Sequence, residues 1–235
     1  MTFKRIPVLT IGLLTVLISL HGLVADKTRL YFSATDILQG DTWRLISGHF
    51  IHADLQHLLW NCLGLAVLGT LLEYRSRGVL LVSLSIGIIF VSALLMNPFS
   101  NLDYYCGLSG VLNTLLLVAL WFEWRLTRSW LIVLIAFGCI AKVVIEVSQG
   151  TSILTHISWP PYAWSHVAGL LGGLFVICML RLRDGRRGRK VPLLQTLYKT
   201  DTGRSCASMR PRHTVHPEHN IHVACMVKPV FFRDD

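Results

Sequence analysis

Residues 79–96, VLLVSLSIGIIFVSALLM, form a run of 18 residues without a charged side chain. A helix needs roughly 20 apolar residues to cross the hydrocarbon core of a bilayer, so this run predicts a membrane span. The whole chain supports this interpretation, because 53% of its 235 residues are apolar, 15% are charged and its mean hydropathy is +0.55. Such a composition provides too little polar surface for a soluble globule of this size. We therefore expect an all-α, polytopic membrane protein.

Five further apolar runs have the length of a membrane helix. Helices are the natural structure for them, because a segment in lipid must satisfy its own backbone hydrogen bonds. Residues 1–182 are thus predicted to form one six-helix membrane domain. Residues 183–235 contain no apolar run of this length and predict a basic, disordered cytoplasmic tail. The six predicted spans, numbered one to six, are 6–25, 53–72, 79–96, 104–122, 129–147 and 162–181.

Basic residues in the short loops predict the orientation of the spans. Cytoplasmic loops are enriched in Lys and Arg, whereas the loops at 97–103 and 148–161 contain neither. The loop at 26–52 is a mild exception with three basic residues. We expect both termini to be cytoplasmic. Because basic residues that flank the spans account for much of the net charge of +9, this charge does not imply a nucleic acid partner. The basic residues on the cytoplasmic side are Lys4, Arg5, Arg75, Arg77, Arg125, Arg128, Arg181, Arg183, Arg186, Arg187, Arg189 and Lys190.

Span two carries the first of three polar clusters that a lipid-facing helix would not tolerate without a reason. His57 and Asn61 are four residues apart and share one helix face. One interpretation is a hydrogen-bonded pair that joins two helices. The other is a pair of N–H donors in a functional site.

The second and third clusters combine small residues with a hydroxyl and an imidazole. Span four contains Gly107-Leu108-Ser109-Gly110, which leaves the Ser hydroxyl uncrowded, although Gly and Ser are also common packing residues in membranes. In span six, His166, Gly169 and Gly173 share a face. The two glycines allow close approach of another helix, to which His166 would be presented.

The three clusters are predicted to lie at one depth. Spans two, four and six run in the same direction, from the outer side to the cytoplasm. His57, Ser109 and His166 each follow the predicted start of their span by four or five residues. At about 1.5 Å rise per residue, each lies roughly 6–8 Å below the outer surface. The side chains are therefore expected to meet.

These residue types suit acyl transfer. A Ser hydroxyl becomes a nucleophile when a neighbouring base takes its proton, and a His can do so near neutral pH. Attack on a carbonyl creates an oxyanion, for which His57, Asn61 and the backbone N–H of Ser109 are candidate donors. Spans two, four and six contain no Asp or Glu at this depth, so the sequence predicts a Ser–His dyad without an acid.

In these motifs the chain resembles the rhomboid intramembrane serine proteases. The resemblance runs from about Trp43 to Gly173 and includes Trp43-Arg44, His49, His52, the HxxxN of 57–61, Gly69, Glu73, GLSG at 107–110 and SHVAG at 165–169. It implies a six-helix rhomboid bundle without a cofactor or a metal, in which Ser109 is the nucleophile and His166 the base. It further implies that His57 and Asn61 form the oxyanion hole, with Gly107, Gly110 and Gly169 in support. Transmembrane proteins in the bilayer would be the substrates.

Within the family, the chain resembles the rhombosortases most. The supporting residues are 105–112 (YCGLSGVL), Ala141-Lys142, Glu146 and Gly150. This subgroup implies a bacterial inner membrane, an active site near the periplasmic face, and secreted substrates with Gly-Gly-containing C-terminal membrane tails. One departure concerns the position four residues after the nucleophile, where many rhomboids have a Tyr that stacks on the catalytic His. Here it is Asn113, whose amide could orient His166 by a hydrogen bond instead.

Other functions and other sites remain open from the sequence. The chain could be an inactive rhomboid-like protein that binds membrane clients, or a transport bundle with His residues as proton relays. Lys142 and Glu146 are interpreted as an i,i+4 ion pair at the membrane interface. The tail carries His213, His216, His219 and His222 with Cys206 and Cys225 on either side, but this spacing matches no standard zinc motif and predicts no metal site.

Overall fold

The computed structural model describes residues 6–100, 102–150 and 162–188. Eight α-helices and two short strands are formed in these segments. The strands β1 (Phe32–Ser33) and β2 (Tyr104–Tyr105) pair antiparallel, with Phe32 opposite Tyr105. The helices are α1 (Val8–Leu23), α2 (Ala34–Leu38), α3 (Arg44–Phe50), α4 (Leu55–Arg75), α5 (Arg77–Leu95), α6 (Ser109–Thr127), α7 (Trp130–Gln149) and α8 (Ala163–Gly188).

A helix lies at each of the six predicted span positions. Within the described segments, α4, α5, α7 and α8 are long and apolar enough to cross a membrane. Helix α1 has 16 residues, which is shorter than a typical span. Helix α6 has 19 residues and contains Asn113, Glu123 and Arg125, which make it less apolar. The mostly helical membrane fold is confirmed, and six crossings remain a prediction.

One predicted boundary was wrong. Span four was expected to begin at residue 104, but α6 begins at Ser109. Tyr104 and Tyr105 instead pair with β1, and Gly107 has φ +112°, which interrupts any helix at this point. The GLSG motif is therefore a turn that leads into the helix, and Ser109 is the first residue of α6.

Glu73 attaches the first helix to the bundle. Its carboxylate accepts hydrogen bonds from the backbone N–H of Leu9 at 3.1 Å, and from the N–H and hydroxyl of Thr10 at 2.8 and 2.9 Å. The first N–H groups of a helix have no partner within the helix, so Glu73 acts as an N-terminal cap supplied by α4. This contact fixes α1 against the end of α4 that is remote from His57.

The segment between α1 and α4 is organised by Arg44. Its guanidinium pairs with Asp36 at 3.1 Å and Asp41 at 3.0 Å, and donates to the carbonyls of Thr28 and Tyr31 at 2.9 and 3.0 Å. A planar guanidinium with five donors can join several acceptors in this way. Arg44 is buried and holds β1 in place for pairing with β2. Arg44, one of three basic residues in the loop at 26–52, is therefore a structural centre of this loop.

Candidate active site

Ser109 and His166 are in hydrogen-bonding contact. The Oγ of Ser109 lies 3.1 Å from Nε2 of His166, although 57 positions separate the two residues in sequence. Ser109 is the first residue of α6 and His166 is the fourth residue of α8. The contact has the geometry needed for an imidazole to accept a proton from a hydroxyl.

Close packing between α6 and α8 creates this contact. A Cβ at Gly169 would overlap the backbone carbonyl of Gly110, and a Cβ at Gly110 would lie 2.9 Å from the carbonyl oxygen of Ser165. The hydroxyl of Thr114 donates to the carbonyl of Gly169 at 2.7 Å. The two backbones therefore touch, as the small-residue pattern predicts. Gly173 continues the interface, because a Cβ there would lie 3.0 Å from Cβ of Leu117.

The turn before Ser109 is held from two sides. The N–H of Gly107 donates to the carbonyl of Gly48 in α3 at 2.9 Å. On the other side, any Cβ at Gly107 would collide with the Cε1–Nε2 edge of the His57 ring. Position 107 therefore requires glycine both for its φ of +112° and for the approach of the imidazole. This packing brings His57 beside the GLSG turn.

His57 and Asn61 lie on one face of α4, and both are buried. Asp54 caps this helix by accepting from the N–H of His57 at 2.7 Å. The amide of Asn61 donates to the carbonyl of His57 at 2.9 Å, which leaves its second N–H for another acceptor. Among the described residues, neither Nδ1 of His57 nor Oδ1 of Asn61 has a hydrogen-bond partner. Unpaired buried polar atoms are unusual and fit a site that receives a ligand.

The first turn of α6 adds backbone donors. Its N-cap residue, Leu108, makes no side-chain cap. The N–H groups of the first helical turn have no acceptor within the helix, and the helix dipole favours negative charge at this end. Ser109 thus combines a hydroxyl near a base with a backbone N–H suited to an anion.

Asn113 does not orient His166 in the expected manner. Its amide donates to the carbonyl of Ser109, in its own helix, at 2.9 Å. The Nδ1 of His166 instead lies 3.1 Å from Oε2 of Glu146. Glu146 also forms the expected ion pair with Lys142. The contact with His166 was not predicted from the sequence, because the expected acid positions were in spans two, four and six, whereas Glu146 belongs to α7.

His49 and His52, which also belong to the rhomboid-like motifs, do not take part in the contact between Ser109 and His166. Burial lowers the pKa of His49 to about 4, and its Nε2 lies 2.9 Å from Oγ of Ser92. Burial, with a smaller effect from His57, lowers the pKa of His52 to about 3. The ring of His52 packs edge-on against His57 with centroids 5.0 Å apart. Both therefore remain neutral and support the region by packing.

Comparison with known proteins identifies the class. The Rhomboid domain model matches residues 39–183, which is more than half of the chain and extends from just before α3 into α8. The chain therefore belongs to the rhomboid family and is an integral membrane protein. It is similar to the rhomboid protease GluP of Bacillus subtilis (strain 168), with 28% identity over 177 residues. That alignment covers 72% of this chain and 33% of GluP, so the chain spans about a third of the length of this curated relative.

The remaining predicted features lie outside the described residues. They include most of the basic tail at 183–235, with its four regularly spaced histidines, and the greater part of the loop at 148–161. Within the described residues, no group of three or more His, Cys, Asp or Glu is arranged to hold a metal ion.

Proposed function

We propose that this protein is an intramembrane serine endopeptidase that cuts transmembrane segments near their outer end. The observation that carries the proposal is the 3.1 Å contact between Ser109 Oγ and His166 Nε2 at the base of the GLSG turn. Membership of the rhomboid family and similarity to a rhomboid protease support the same activity.

The reaction follows from the placement of Ser109 and His166. The Ser109 oxygen attacks the scissile carbonyl carbon while its proton moves to Nε2 of His166. When the tetrahedral intermediate collapses, the C–N bond breaks and His166 returns the proton to the leaving amine. A water molecule, deprotonated by the same imidazole, then hydrolyses the acyl-enzyme and releases Ser109.

The oxyanion of the intermediate would be stabilised by three kinds of donor. The backbone N–H of Ser109 belongs to the GLSG turn, and the Nε2 edge of His57 faces Gly107 in that turn. Asn61 lies one helical turn after His57 on the same face of α4, with one N–H not used by its bond to the His57 carbonyl. Donors fixed before the reaction need no reorganisation when charge develops, which makes them effective in a site with little water. Gly107, Gly110 and Gly169 support this arrangement because they let the elements approach closely.

We infer that six spans place this site near the outer surface with both termini in the cytoplasm. The ends of α4, α6 and α8 that are remote from the site carry the basic residues. Arg75 pairs with Glu123 there at 3.6 Å, and Arg125 pairs with Asp184 at 2.9 Å. Basic ends of this kind are typical of the cytoplasmic side. In a bacterial inner membrane the site would then lie near the periplasmic face.

The substrate class follows from the hydrogen bonding of membrane helices. A helical substrate hides its scissile carbonyl in the backbone hydrogen-bond pattern, so it must unwind locally before it is cut. Glycine lowers helix stability by about 1 kcal/mol relative to Ala, which favours Gly-rich segments. The resemblance to the rhombosortases points to Gly-Gly-containing C-terminal membrane tails of secreted proteins.

The test is cleavage by purified enzyme in liposomes. A reporter domain fused to a transmembrane segment with a Gly-Gly motif at its outer end is compared with the same fusion carrying Leu-Leu. We expect cleavage of the first fusion, slower cleavage of the second, and none by Ser109→Ala. Binding of the fusion without any cleavage by the wild type would identify an inactive client-binding protein instead.

A further inference from the structure

We propose that Glu146 is a positioning residue for His166, so that the site works as a Ser–His–Glu triad in which Lys142 holds the acid. This inference rests on the proposed protease function and specifies how its base is prepared. Its basis is a continuous chain of contacts across three helices. Ser109 Oγ is 3.1 Å from His166 Nε2, His166 Nδ1 is 3.1 Å from Glu146 Oε2, and Glu146 Oε1 is 2.6 Å from Lys142 Nζ.

The two nitrogens of His166 have different roles, because Nδ1 contacts Glu146 and Nε2 contacts Ser109. A carboxylate can only accept hydrogen bonds, so the contact with Glu146 places the imidazole proton on Nδ1. Nε2 is then unprotonated and faces Ser109 with its lone pair. When Nε2 takes the Ser proton, the imidazolium forms beside a negative charge that stabilises it. Without the acid, either tautomer could form, and the imidazolium would have no negative charge beside it.

Glu146 is one of the few residues through which α7 faces the bundle, and its burial supports a role beyond that of an ion pair. Most side chains of α7 face away from the bundle, and its buried residues are Val143 and Glu146. Glu146 is 1% exposed. An ionisable group inside a membrane domain is costly and is normally retained with its partners for a purpose. An ion pair that served only the membrane interface could lie anywhere on the exposed face of α7. The acid of this pair is instead buried against His166.

Lys142 is suited to keep Glu146 charged and oriented. The two residues are one helical turn apart, and the Lys side chain is 36% exposed while that of Glu146 is 2% exposed. The ammonium group can therefore reach the interface while its contact with Oε1 fixes the rotation of the carboxylate. The other oxygen is thereby directed to His166.

The experiment compares three variants that break the Lys–Glu pair in different ways. Lys142→Met removes the ammonium and retains the acid. Glu146→Gln removes the acid, and the double variant Lys142→Met/Glu146→Gln removes the acid without leaving an unpaired charge. Glu123→Gln, at the remote end of α6, is the matched control for the loss of one carboxylate. Thermal unfolding, kcat and KM are measured for each protein in detergent with a transmembrane substrate.

If Glu146 positions His166, Glu146→Gln should lower kcat by up to about 10⁴-fold with little change in KM, since neutralising the acid of a triad costs about that much. The double variant should be equally slow even if its unfolding temperature is normal. Lys142→Met should keep kcat within about tenfold of the wild type, because it retains the acid.

Two results would overturn the inference. Equal effects of Glu146→Gln and Lys142→Met would show an ion pair with a structural role. Wild-type kcat in the folded double variant would show that His166 needs no acid. Failure of the proposed function itself would be distinct, because the wild type would then leave the substrate uncut, or Ser109→Ala would cut it equally well.

Discussion

The backbone of Gly169 in α8 lies directly against the backbone carbonyl of Gly110 in α6. Ser109 immediately precedes Gly110, and His166 lies one helical turn before Gly169. Contact between the two glycines therefore sets the distance between the hydroxyl and the imidazole. Side chains of ordinary size would separate the helices and break the 3.1 Å contact.

Gly169→Ala should accordingly impair both stability and activity. The added methyl group overlaps backbone atoms that cannot rotate away, and overpacking of this kind costs about 1–3 kcal/mol. We expect a lower unfolding temperature and loss of proteolysis. Gly138→Ala in α7 is the control, because no atom lies within 4 Å of the added Cβ. If Gly169→Ala behaved like Gly138→Ala, the interface between α6 and α8 would not control the site.

Gly107→Ala should affect catalysis beyond its cost in stability. A residue with a side chain at this φ of +112° costs about 1–3 kcal/mol, and its Cβ would also displace the ring of His57. Gly40 provides the comparison, since its φ is +118° and a Cβ there meets open space. Both variants should unfold at lower temperature, measured by a thermal shift, but Gly40→Ala should retain its kcat. Equal kcat values for the two variants would separate His57 from the reaction.

Asn61→Ala should slow cleavage less than loss of the nucleophile. Removing one oxyanion donor costs roughly 10²–10³ in rate where it has been measured, and His57 and the backbone N–H of Ser109 would remain. The kcat of the variant, measured beside its unfolding temperature, checks this expectation. Wild-type turnover with a lowered unfolding temperature would instead assign Asn61 to helix packing.

Truncation after Lys190 should leave proteolysis largely unchanged. Residues 57–166 contain every group to which we assign a catalytic role, and the retained basic residues from Arg181 to Lys190 anchor span six. The measurement is the cleavage rate per folded enzyme in liposomes, for the full and shortened chains, with and without a chelator. A large loss on truncation, or chelator sensitivity of the full chain alone, would indicate a functional metal or partner site in the His-rich tail.

The helices and the meeting of the polar clusters could be predicted from sequence for physical reasons. Apolar length predicts the position of each helix, and placement near the predicted outer ends of spans two, four and six predicts a similar depth for His57, Ser109 and His166. Their positions within the helices are not identical, since Ser109 is the first residue of α6. The fine structure before Ser109 could not be predicted in this way. It depends on the pairing of Tyr105 with Phe32, some 70 residues away, and on the positive φ of Gly107.

Glu146 illustrates a second limit of sequence reasoning. Its depth near the outer end of span five and its pairing with Lys142 were both predicted, and the pair is confirmed. Depth does not reveal which helices are lateral neighbours, however, and the contact with His166 depends on how α7 and α8 pack side by side. The acid was therefore recognised as one member of an ion pair and missed as the partner of the base.

The central claim is that His166 activates Ser109 as a nucleophile, and covalent labelling tests it most directly. A fluorophosphonate probe reacts with an activated Ser, and mass spectrometry of the digested protein locates the adduct. We predict an adduct on Ser109 in the wild type and in Ser83→Ala, whose hydroxyl is buried without a hydrogen-bond partner among the described residues. The folded His166→Ala variant should remain unlabelled. The double variant Ser109→Ala/His166→Ala should cleave no more slowly than His166→Ala alone, because residues that act as one unit are non-additive. Equal labelling of wild type and His166→Ala, or no adduct on Ser109 in a folded wild-type enzyme, would contradict the account.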